Sequence, residues 1–119
     1  MEIKILPYRL TVAKYPFLPS CPEGFFSLSR AEGEFSLLCE TKNLPQGATH
    51  REEGWRAFMV VGPLDFSLVG VLSELSGALA SFGIPIFALS TYDTDYLLVK
   101  EERFSAACIA LKDKGYIVI

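Results

Sequence analysis

The stretch "FALSTYDTDYLLV", Phe87–Val99, is the one whose reading decides the fold. Two apolar runs that read as adjacent antiparallel strands flank Thr91, Tyr92, Asp93, Thr94 and Asp95, a connection with neither glycine nor proline. A tight hairpin normally turns on Asn-Gly or Asp-Gly, whose backbone tolerates positive φ. Two readings account for so polar a connection. Its aspartates bond their own backbone as turn residues, or its side chains are displayed toward a ligand.

Outward from this stretch the punctuation is clear. "WRAFMVV", Trp55–Val61, reads as a strand stopped by Gly62-Pro63. Leu68, Val71, Leu72, Leu75, Leu79 and Phe82 then recur at helical spacing, with Asp65 as an N-cap and Gly83 as the stop. Ile84–Ser90 follows as a strand expected to be buried on both faces, and "YLLV" as its antiparallel partner. Glu101 and Glu102 open a second helix, whose apolar face is Phe104, Ala107, Cys108 and Leu111 and whose end is marked by Gly115. "YIVI" closes the chain as a last strand. Strand, helix, strand, strand, helix, strand is the α+β ferredoxin-like arrangement, βαββαβ with an antiparallel sheet.

Residues 1–54 show strands without clear helices. "IKILPYRLTVAKY" is a strand with Pro7 as a kink, "FFSLSRAEGEFSLLCE" is a hairpin turning at Ala31-Glu32-Gly33-Glu34, and Thr41–Gly54 is a polar connector. The hairpin resembles the later one, so residues 1–54 are expected to be a degenerate copy of the unit at 55–119.

Composition narrows the function. Half of the 119 residues are hydrophobic, which is ample for a core without disulfides, and the net charge is −3. The eleven basic residues are spread along the chain, against a nucleic-acid footprint. The longest apolar stretch, Leu68–Ile86, is broken by Ser73, Glu74, Ser76 and Ser81, so no membrane span is expected; with no leader pattern at the start, the reading is cytoplasmic. Three cysteines without CxxC spacing and one histidine, His50, do not make a metal site, and no cofactor is implied. A nucleophilic cysteine paired with His50 is the minor alternative to reduced, buried thiols. There is no P-loop, Rossmann or nucleophile-elbow motif, and the expectation is a protein that is not an enzyme.

In the βαββαβ topology the loop after the first strand and the connection after the second emerge at one end of the sheet. Backbone N–H groups at Phe66, Ser67 and Leu68 would seat a carboxylate, while Asp65, Asp93 or Asp95 would take an ammonium group and Tyr92 and Phe66 would wall the apolar part. A zwitterion suits such a site. Asp65 as a plain helix cap and Asp93 and Asp95 as plain turn residues are the competing reading.

The run from Gly54 to Glu102, with "GPLDFSLVGVL" and "LSTYDTDYLLV" at its centre, resembles the ACT-domain family, in particular its aspartokinase-related branch, which includes cytosolic arginine sensors and small bacterial tandem-ACT proteins. "FFSLSRAEGEFSLLC" is similar to a degenerate first ACT unit. The resemblance implies a non-catalytic, amino-acid-binding regulatory module that pairs edge to edge as a homodimer. Its ligand would meet Gly62, Asp65, Phe66, Ser67, Thr91, Tyr92, Thr94 and Asp95. Where ACT domains often carry Pro-Gly at the helix start, this chain has Phe66-Ser67. The alternative expectation is a protein–protein docking module without a small ligand, resting on the open edge of "YIVI".

Overall fold

Residues 1–62 and 70–119 are described by the structure, a computed structural model. The chain divides into two units, Met1–Pro7 with Arg56–Ile119, and Tyr8–Trp55. The splits fall at Pro7–Tyr8 and Trp55–Arg56, so the N-terminal strand groups with the later part of the chain.

The C-terminal unit contains β1 (Glu2–Ile5), the last residues of β5 (His50–Val60), α1 (Val71–Ala80), β6 (Phe87–Ser90), β7 (Asp95–Lys100), α2 (Phe104–Asp113) and β8 (Ile117–Val118). From β5 onward the order is the expected βαββαβ. β7 pairs with both β5 and β6, and β1 pairs antiparallel with β5 through Ile3↔Val60 and Ile5↔Phe58. β8 joins through β1, in parallel, with Glu2↔Ile117. The N-terminal strand therefore stands between the first and last strands of the βαββαβ unit.

Alternation along the strands makes the core. Ile3, Phe58, Val60, Leu97 and Val99 pack against Leu75 and Leu79 of α1 and Ala107, Ala110 and Leu111 of α2. Burying each large aliphatic or aromatic side chain contributes about 1.5–3 kcal/mol. At the start of α2 the Phe104 ring stacks 5.2 Å from Phe58, and the Arg56 guanidinium lies 4.1 Å from its centroid while reaching Glu101 at 3.5 Å.

Three expectations are corrected here. α1 begins at Val71 with Gly70 as its cap and no side-chain cap bond, and Asp65 lies outside the described residues. Its end is as read: Gly83, at φ 69°, lets Gly83 N–H reach Ala80 O at 2.9 Å and Ile84 N–H reach Leu79 O at 3.1 Å, the paired bonds of a Schellman end. β6 is not buried on both faces: Phe87 and Leu89 are half-buried while Ala88 and Ser90, on the opposite face, are exposed. The second helix opens as a 3₁₀ turn at Glu101–Arg103, and α2 proper starts at Phe104.

The N-terminal unit holds β2 (Leu10–Tyr15), β3 (Phe26–Ala31), β4 (Glu34–Glu40) and the first residues of β5, in the order β3-β4-β2-β5. Pro7 separates β1 from β2 outright, since it has no N–H to offer a ladder. The β3–β4 hairpin turns between Ala31 and Glu34 as read from sequence. The polar connector is corrected in its second part: His50–Gly54 is strand, paired through Lys14↔His50 and Val12↔Glu52. Backbone pairing with β2 makes this segment a strand despite its charges. One face of the sheet buries Ala13, Tyr15, Leu37 and Cys39 beneath Leu44 and Ala48.

The loop entering β3 is held by Glu40, 9% exposed, whose Oε2 accepts the Phe25 N–H at 3.3 Å. Gly24 sits at φ 76°, and a Cβ there would lie 2.0 Å from that oxygen. Gly24→Ala is expected to cost about 1–3 kcal/mol through left-handed strain and displacement of the carboxylate. A urea midpoint lowered accordingly at unchanged m-value is the result anticipated; an unchanged midpoint would show that the loop relaxes freely.

Candidate functional site

The polar connection of the opening stretch is a closed turn. Thr91 N–H donates to Thr94 O at 2.8 Å and the Thr91 hydroxyl donates to the same oxygen at 3.2 Å, while Thr94 N–H reaches back to Thr91 Oγ1 at 3.4 Å. Two threonines thus supply the local bonding that glycine turns leave to the backbone alone. Thr94, 8% exposed, donates its hydroxyl to Val60 O at 2.5 Å, fastening the turn to the end of β5. Val61 N–H donates to Glu2 O at 3.0 Å, which carries the chain to Gly62 beside the turn.

An open concavity of about 370 Å³ lies between these segments, lined by Met59, Gly62, Thr91, Asp93, Thr94 and Tyr96. Asp93 is the one carboxylate among these lining residues, and no cationic side chain is among them. Met59 and Tyr96 contribute a thioether and a phenol ring, and the Thr91 and Thr94 hydroxyls are engaged with Thr94 O and Val60 O. Such a surface attracts the positive end of a small molecule and accommodates an apolar segment.

Of the residues expected from sequence, Gly62, Thr91, Asp93 and Thr94 come together here. Tyr92 is 80% exposed and is not among the lining residues, because the turn points it outward. Asp95 accepts the Ser90 hydroxyl at 2.6 Å, and its register opposite Ser90 puts it on the other face of the strand from Tyr96. Asp65, Phe66, Ser67 and Leu68 lie outside the described residues. Met59 and Tyr96 were missed. Their signal is alternation: Phe58, Val60, Leu97 and Val99 are core, so the residues between them face the other side.

Of the three cysteines Cys21 is exposed, and Cys39 and Cys108 are not poised as nucleophiles. Burial pushes the Cys39 thiol up, reinforced by the nearby Glu40 charge, and burial pushes Cys108 up despite Lys112 and Arg56. A raised thiol pKa opposes thiolate formation. Cys39 also faces the core with Tyr15 and Leu37, whereas His50 shares its face with Lys14. Among the described residues no group of His, Cys, Asp and Glu is placed to hold a metal, and no helix is long and apolar enough to cross a membrane.

Three comparisons bear on this arrangement. A family model described as an ACT domain matches residues 50–113. The cytosolic arginine sensor for mTORC1 subunit 1 of Bos taurus is 31% identical over 96 residues, covering 75% of this chain and 29% of that protein. The chain therefore spans under a third of the curated relatives it matches. A crystal structure from Agobacterium tumefaciens is similar at 28% identity with a TM-score of 0.86, covering 99% of this chain and 91% of that one. The α and β subunits of an aspartokinase share the fold at 14% identity, with a TM-score of 0.63 over 95% of this chain and 96% of that one.

Thr94 is the residue on which the turn's position depends. Thr94→Val keeps the shape but leaves the buried Val60 carbonyl without its donor, so a loss of about 1–3 kcal/mol is expected. Thermal denaturation measures it, and the amide resonances of Thr91–Asp95 should shift together. A variant as stable as the parent would show that the hydroxyl does not hold the turn.

Proposed function

The chain belongs to the ACT domain family, and from that premise we propose that it is a non-catalytic regulatory module that binds a free amino acid in the concavity at Thr91–Thr94. The observation that carries this reading is the Thr94–Val60 hydrogen bond, which brings Asp93 over the same concavity as Gly62. The ligand's ammonium group lies at Asp93 and its side chain lies over Met59 and Tyr96. Its carboxylate is assigned to the backbone N–H groups of Phe66, Ser67 and Leu68. A site with a carboxylate and no cation among its described lining residues disfavours acidic amino acids, which would bring a second negative charge to Asp93. The mammalian relatives are arginine sensors by name, so arginine is the first ligand to test. The Tyr8–Trp55 unit is read as a degenerate ACT-like half, and the protein as cytoplasmic.

A thermal-shift screen of the twenty amino acids tests this. Stabilisation should follow RT ln(1 + [L]/Kd), about 2.7 kcal/mol at a hundredfold excess over Kd, and Asp93→Ala should abolish it. No shift with any amino acid at millimolar concentration would overturn the reading.

A second reading, a homodimerising or docking module, is supported by Ile117 and Ile119, which are 58% and 56% exposed. Isolated apolar side chains are ordinary on a surface, but here Ile117 lies in, and Ile119 just after, a strand with one ladder partner among the described residues. Light scattering after gel filtration is expected to give twice the chain mass at micromolar concentration, and Ile117→Lys to halve it. A monomer throughout would leave the dimer without support.

A further inference from the structure

We draw no further inference here: the strongest candidate, the outer edge of β3 at Phe26–Ala31, which has β4 as its one ladder partner among the described residues, carries nothing because nothing in the structure shows what pairs with it.

Discussion

The C-terminal unit depends on the backbone of β5 being hydrogen-bonded along both edges. A buried strand that left one edge open would strand N–H and C=O groups away from water, at a cost comparable to the hydrogen bonds themselves. β7 covers one edge and β1 the other. This constraint explains why the first strand of the chain belongs with Arg56–Ile119. It also places Phe58 and Val60 centrally under the helices, and leaves β6 and β8 as outer strands.

The same constraint builds the concavity. Once β7 is docked on β5, the turn leading into β7 must pass the end of β5, and Thr94 uses its hydroxyl to bond the Val60 carbonyl there. The turn is then held by side chains as well as by main chain, which is why it dispenses with glycine. The concavity left beside it is lined by Asp93, Met59 and Tyr96 among others. Neither Cys39 nor Cys108 is among its lining residues, and burial pushes both toward the thiol form.

The N-terminal unit solves the same packing problem with fewer parts. It has the hairpin and the paired strands but, among the described residues, no α-helix, and its core face is covered by Leu44 and Ala48 from an irregular segment. Its other face carries Lys14, Ser36, His50 and Glu52 together with Val12 and the buried Leu38.

Much of this was legible in the residues. Apolar alternation and helical spacing marked β5, α1, β6, β7, α2 and β8, and Gly83 and Gly115 marked where the helices stop, because these are local properties of neighbouring residues. Gly62, Thr91, Asp93 and Thr94 were legible as a group because the βαββαβ order forces the loops they occupy to one end of the sheet. The outward aim of Tyr92 and the diversion of Asp95 to Ser90 were not, since a side chain's direction in a turn depends on bonds to its surroundings. Met59 and Tyr96 were hidden by being read only as strand residues. The sequence by itself determined the element order, the helix ends and the chemistry of the turn. Only the tertiary structure decided that β1 stands between β5 and β8 and that His50–Gly54 is strand, because both follow from which distant backbone edge is left to pair, and no local pattern of side chains records that.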